Sequence, residues 1–368
     1  MPVEQEYAAD LPGIAAERLA RGEIDRRAFL QALAAIGLVP VLGGVPARAA
    51  PAELVLCNFG GVAAREYRNA FGPGFEKATG LKLVVDGSGA SMSKIRAMVQ
   101  ANATSWDVCD LATSMSVQIG REGMLEPIDY GIVDKAQILP GYALPYGCAA
   151  YVFTFCLAYN KTMLPAAPTS WKDFWDVAKF PGKRTMFKNP SGQIESVLLA
   201  AGVEPDKLYP LNVDLACAKL KELKSEILFW DSGAQSQQYF RDQEVSMGNV
   251  WHTRATLLRQ EANGAIDFTF NQGVLWVGGW MIPKDNPAGA ENANKFIRSA
   301  QDPAAQAQLF KAMYNGPANP RTASLLPPKL RAANPTDPAN LTLQVQANAT
   351  WWGENFDMAQ DRWLDALS

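Results

Sequence analysis

Residues 53–111 run ELVLC-NFGGVAAREYRNAFGPGFEKATG-LKLVV-DGSGASMSKIRAMVQANATSW-DVCDL. The three short apolar runs, at 53–57, 81–85 and 107–111, have the length and β-branched content of buried strands. Between the first two, Tyr67, Ala70, Phe71 and Phe75 recur at helical spacing, and Gly80 ends that helix. Between the second and third, Ser91 caps a helix that carries Met92, Ile95, Met98 and Val99 on one side. This β-α-β-α-β order predicts a mostly parallel α/β sheet with helices on both faces.

Outward from that unit, 368 residues exceed one ordinary core, so two α/β lobes are expected. The stretch 149–159, AAYVFTFCLAY, is too long and too rich in aromatic residues for a simple lobe strand, and reads as a segment crossing between lobes. A second lobe then opens with Ser170 as cap and Trp171, Phe174, Trp175 and Ala178 at spacings of three and four, stopped by Pro181-Gly182. It continues through a helix at 211–223, a strand at 227–230, helices at 235–241 and 251–261, and a strand at 266–270. A further apolar run, 274–283, crosses back, and the Pro-rich 326–338 is a surface connection. Two crossings make a hinge, and ligands of open α/β sheets gather where strand ends face a crevice.

Composition narrows the chemistry. A net charge of −3 with no basic stretch excludes a nucleic-acid partner. The single histidine, His252, removes most hydrolase and metal-site readings, and no Cys-x-x-Cys knuckle exists. Cofactors are expected to be none. The five cysteines are Cys57, Cys109, Cys148, Cys156 and Cys217, four of them in apolar runs that suit buried free thiols. A disulfide between Cys148 and Cys156 stays open.

The N-terminus carries its own signal. Asp25-Arg26-Arg27-Ala28-Phe29-Leu30-Gln31 resembles the twin-arginine export motif, with Asp25 and Gln31 as departures. A weakly apolar stretch follows, then Ala47-Arg48-Ala49, a small-x-small cleavage pattern. The mature chain is expected to begin near Ala50 and to reach the periplasm already folded. The apolar stretch is short and broken by Gly37, Pro40, Gly43 and Gly44, which argues against a membrane anchor. Leu54-Val55-Leu56-Cys57 lacks the small residues that precede a lipidated cysteine.

Several segments, in order, resemble the spermidine/putrescine-type periplasmic solute-binding proteins of ABC importers. They are Arg121 to Asp129 (REGMLEPID), Ser170 to Trp175 (SWKDFW), Gly248-Asn249-Val250-Trp251, Trp276 through Pro283, Asn292 to Ile297 (NANKFI), and Tyr314 to Asn319 (YNGPAN). The resemblance covers most of the mature chain. It implies the α/β, two-lobed periplasmic binding protein fold with two mixed sheets joined by a hinge. The expected division is 1–49 as signal peptide, 50–149 with 278–322 as lobe 1, and 150–277 with 323–368 as lobe 2. It also implies capture without catalysis, with a small-molecule solute and a membrane permease as partners, by a monomer.

Relatives sheathe a diamine's methylenes in an aromatic box and pair its ammonium ends with carboxylates. By motif, the ligand-binding residues here would be Phe59, Thr113, Ser114, Trp251, Trp276 and Tyr314, with Trp280 nearby. The family's aspartate two residues after the returning-strand Trp falls at Gly278, and Lys188 to Gln193 holds no carboxylate before Glu195. Arg254 instead brings a cation beside Trp251. An arginine fork suits a carboxylate, so ω-amino acids such as γ-aminobutyrate, amino acids or organic acids join polyamines as expected cargo.

Other readings are weaker. Trp171 and Trp175 at i, i+4, and Trp351 and Trp352, are core packing. Trp251 and Trp276 are ambiguous from the residues alone. Arg254 also fits a merely charged helix face, and His252 a satisfied structural histidine. Gly87-Ser88-Gly89-Ala90-Ser91-Met92 sits like a dinucleotide fingerprint, but Met92 stands where Gly or Ala is needed. Its helix N-terminus still offers amides to an anion. An exported enzyme is the alternative class, opposed by the missing nucleophile–histidine pair; a sensor subunit is the third.

Overall fold

Strand β1 (Glu53–Cys57) pairs in parallel with β2 (Lys82–Asp86) on one side and β3 (Val108–Ala112) on the other. Helices Gly61–Thr79 and Met92–Gln100 supply the crossovers that parallel neighbours require. Gly80 ends the first helix at φ 75°, a region that side chains resist. At the second, Ser91 Oγ accepts from the Lys94 amide. β2 and β3 each lie one residue later than the apolar runs suggest, because pairing to β1 sets their ends. The computed structural model describes residues 51–368. The expected export leader, with Arg26-Arg27 and Ala47-Arg48-Ala49, lies outside the described residues.

Two short strands follow, β4 (Leu125–Glu126) and β5 (Ala143–Leu144), then the long β6 (Gly147–Asn160). After it come β7 (Arg184–Phe187), β8 (Ile227–Trp230), β9 (Met247–Trp251) and β10 (Ile266–Pro283), with β11 (Gly316–Pro317) and β12 (Val345–Gln346) last. The chain divides into two compact units, one up to Ala150 with Gly278–Leu309, the other Tyr151–Val277 with Phe310–Ser368.

The first unit orders its sheet β2-β1-β3-β10, with β10 antiparallel to β3 from Gly278 opposite Ala112. Trp280, named beside the site residues on the resemblance, is core here. It is 2% exposed and meets Tyr67, Phe71 and Phe296 edge-on. The second unit orders its sheet β6-β9-β7-β8, with β9, β7 and β8 parallel and β6 antiparallel to β9. Residues 310–322, expected in lobe 1, fall in the second unit. The reason is pairing: Gly316 and Pro317 lie opposite Val152 and Tyr151, and Thr336 donates to the Pro317 carbonyl.

The runs 266–270 and 274–283 form one 18-residue strand. Gln272, at φ 58°, is held by three bonds: its amide to the Leu343 carbonyl, its side chain from the Trp171 amide, and its carbonyl from the Trp171 indole. All five thiols are free, and burial pushes Cys148 up to about 12. Among the described residues no helix is long and apolar enough to cross a membrane.

Candidate functional site

Parallel strands end together, and ligand groups collect at that edge. In the second unit the three parallel strands end on aromatic residues: Phe187, Trp230 and Trp251. Phe187 stacks on Trp230 at 4.3 Å, and Trp251 meets Trp230 edge-on at 5.0 Å. β6 adds Phe153 and Phe155, each contacting Trp251. Phe155 also meets Trp276 of β10, which packs in turn on Trp352 of the C-terminal helix Ala349–Leu367. Edge-on and offset contacts of this kind let rings form a stiff apolar wall.

Trp230 Nε1 donates to the Asn249 carbonyl, but two other donors of this wall lack acceptors. Trp251 Nε1 and Arg254 Nε are buried and have no hydrogen-bond partner. Both side chains crowd Gly233, where a Cβ would lie 2.6 Å from Arg254 Nε and 3.0 Å from the Trp251 ring. Only glycine admits that approach. Burial pushes the Arg254 guanidinium below its ordinary value, with no charged neighbour opposing it. The following helix, His252–Glu261, starts after Trp251 without a side-chain cap. An anionic oxygen is the acceptor that suits such a guanidinium donor. Asp231, following Trp230, is the exposed carboxylate of this edge, 3.9 Å from Lys188 Nζ.

His252 is structural. It is fully buried; Nδ1 accepts from the Thr154 amide, and Nε2 pairs with the Tyr314 carbonyl at 2.8 Å. Burial pushes it down to about 4, which keeps it neutral.

The residues expected to touch solute are distributed between the units. Trp251, Arg254 and Trp276 lie in or beside the aromatic wall of the second. Tyr314 is in the same unit, but its ring meets Phe310 and its hydroxyl accepts from Gln260 at the far end of the His252–Glu261 helix. In the first unit Phe59 projects 59% exposed from the loop after β1. Thr113 and Ser114 are buried at the start of helix Thr113–Arg121, and Thr113 packs under Gly279. Gly278 is a strand residue opposite Ala112. The Gly87–Met92 loop is already served: Asp86 accepts from the Ser88 amide and Asn58 from the Gly89 amide. Phe153, Phe155, Phe187, Trp230 and Gly233 escaped the sequence reading. An aromatic at the last position of each parallel strand was the available signal.

Known proteins share this architecture. Residues 74–348 match the bacterial extracellular solute-binding protein family. A gamma-aminobutyric acid-binding protein of Pseudomonas aeruginosa is 33% identical over 334 residues, 86% of this chain and 92% of that one. A solved GABA receptor structure gives a TM-score of 0.80 at 34% identity, covering 86% of this chain and 98% of that one. The spermidine/putrescine ABC-transporter substrate-binding protein of Streptococcus pneumoniae shares the fold, with a TM-score of 0.66 at 19% identity over 86% of this chain and 99% of that one. These relatives are binding proteins, not enzymes; such proteins bind small solutes and deliver them to a membrane permease. This chain belongs to the bacterial extracellular solute-binding protein family and serves as the solute-capturing component of an ABC importer.

Proposed function

We propose that the cargo is an ω-amino acid of the γ-aminobutyrate type and that the second unit holds its carboxylate. One observation carries this reading: Trp251 Nε1 and Arg254 Nε are each buried with no acceptor among the described residues, and the two side chains meet over Gly233. Leaving such donors unmet costs about 1–3 kcal/mol each, more for a charged group, so their natural complement is an anionic oxygen pair. A diamine would bring further donors to donors. The aromatic wall covers the methylenes, and Asp231 is the carboxylate this edge offers to an ammonium. The names of the relatives, a gamma-aminobutyric acid-binding protein and a GABA receptor, support the same class.

The test is thermal unfolding of the mature protein with γ-aminobutyrate, putrescine and spermidine in turn. Ligand at ~100 times its dissociation constant stabilises by about 2.7 kcal/mol. Stabilisation by γ-aminobutyrate and not by the amines is expected; the reverse order refutes the reading. Export is proposed to follow the twin-arginine route, the protein acting as a periplasmic monomer. Replacing Arg26 and Arg27 by Lys should then strand the precursor in the cytoplasm, and undiminished export would contradict that route.

A further inference from the structure

Behind the aromatic wall lies a buried acid that, among the described residues, contacts no cation. Glu195, in the first turn of helix Gln193–Ala200, is 0% exposed. Its Oε1 accepts twice, from the Tyr209 hydroxyl at 2.6 Å and from the Trp352 indole nitrogen at 2.7 Å, while Oε2 has no partner. A carboxyl group in such surroundings is expensive, and apolar packing of similar volume would cost less. Burial accordingly pushes it up from the usual carboxylate range. The helix dipole alone does not account for it, since it favours an acid at this turn without asking for two convergent donors.

The donors show what the acid holds. Trp352 stands 5.3 Å from Trp276, ring to ring, and Trp276 meets Phe155 at 6.4 Å. Gly192, just before the same helix, lies so close to Phe155 that a Cβ would sit 2.1 Å from its ring. Tyr209 in turn packs on Trp351. Helix Gln193–Ala200 therefore touches both ends of the Phe155–Trp276–Trp352 row, through Gly192 at one end and Glu195 at the other. An indole can rotate about two bonds; a fixed acceptor on its nitrogen removes that freedom.

We infer that Glu195 is a positioning residue: by anchoring Trp352 it fixes the Trp276 face of the solute site and so sets the chain length of solute accepted. This inference rests on the proposed ω-amino acid site. One methylene more or less against a hydrophobic wall is worth 10–200-fold, about 1–3 kcal/mol, so a small displacement of Trp276 should shift the preference among homologous solutes.

Two conservative variants test it. Trp352→Phe keeps a ring and deletes the N–H; Glu195→Gln keeps the shape and changes the acceptor. Calorimetry on 3-aminopropanoate, 4-aminobutanoate and 5-aminopentanoate gives the selectivity, and 5-fluorotryptophan NMR of the solute-free protein, assigned with Trp276→Phe, gives the Trp276 environment. The expected result is a Trp276 resonance that moves in both variants and a preference among the three acids that changes about 10-fold. A Trp276 resonance at its original position, or an equal loss of affinity for all three acids, would overturn the inference and leave Glu195 a packing residue. If the unmodified protein binds none of the three acids, the cargo reading is what fails, and the Trp276 resonance alone decides the anchoring role.

Discussion

The parallel strands of the two units end in opposite chemistry. In the first unit β1, β2 and β3 finish at Cys57, Asp86 and Ala112. Most polar groups there are met from within: Asp86 accepts from the Ser88 amide and from the Trp106 indole, and the donor left over, Asn58 Nδ2 just past β1, is a neutral amide. In the second, β7, β8 and β9 finish at Phe187, Trp230 and Trp251, and Trp251 Nε1 and Arg254 Nε lack acceptors among the described residues. Related topologies thus carry unlike edges. What distinguishes the second edge is a cation with an unmet buried donor beside an aromatic surface, which the backbone alone does not reveal.

Arg254→Ala should separate the two edges most sharply. Truncating one partner of a buried charge pair costs about 2–5 kcal/mol, so titration calorimetry should show at least ~30-fold weaker binding of γ-aminobutyrate. The solute-free variant should melt no lower than the parent, because the Arg254 Nε it loses is buried without an acceptor. A large drop in melting temperature would make Arg254 structural.

His252 predicts an acid-side loss of stability in the second unit. Its folded value is near 4, against 6.5 for the free side chain. The unfolded chain therefore binds the extra proton first. Stability from the neutral imidazole is complete above pH 6.5 and declines as the pH falls toward 4, by about 3 kcal/mol across that window. Denaturant unfolding at several pH values, compared with His252→Asn, isolates this contribution; parallel pH curves would refute it.

Asp86→Ala addresses the first unit's edge. It strips the Trp106 indole, in a residue 1% exposed, of its acceptor, so thermal unfolding should reveal a loss of about 1–3 kcal/mol. The effect expected is on stability, the converse of Arg254→Ala. Trp251→Phe is the mildest: the ring remains and one donor goes, for a loss in affinity of about 10-fold, close to 1.4 kcal/mol. No loss would remove the indole nitrogen from solute contact.

Much of this was readable in the chain. β1 to β3 announced themselves because β-branched runs alternate with amphipathic helices whose caps, Ser91 and Gly80, stand at the right positions. Arg254 was readable as a misplaced cation beside Trp251. Helix Gln193–Ala200 was not, because all eight residues are buried, Gln193, Glu195 and Ser196 included; with no exposed face, the helical period disappears. β7 was hidden by Arg184, a fully buried guanidinium whose nitrogens donate to the carbonyls of Phe174, Phe180 and Gly182. Missing β7 meant missing Phe187, and with it the aromatic edge. The bonds around Gln272 joined two runs that local sequence kept apart.

The most direct measurement compares γ-aminobutyrate with its primary amide, which keeps the chain and ammonium but removes the carboxylate charge. Calorimetry with the parent protein should find the amide at least ~30-fold weaker, and with Arg254→Ala the two should bind alike. Equal affinity for acid and amide in the parent would contradict the claim that the second unit grips a carboxylate.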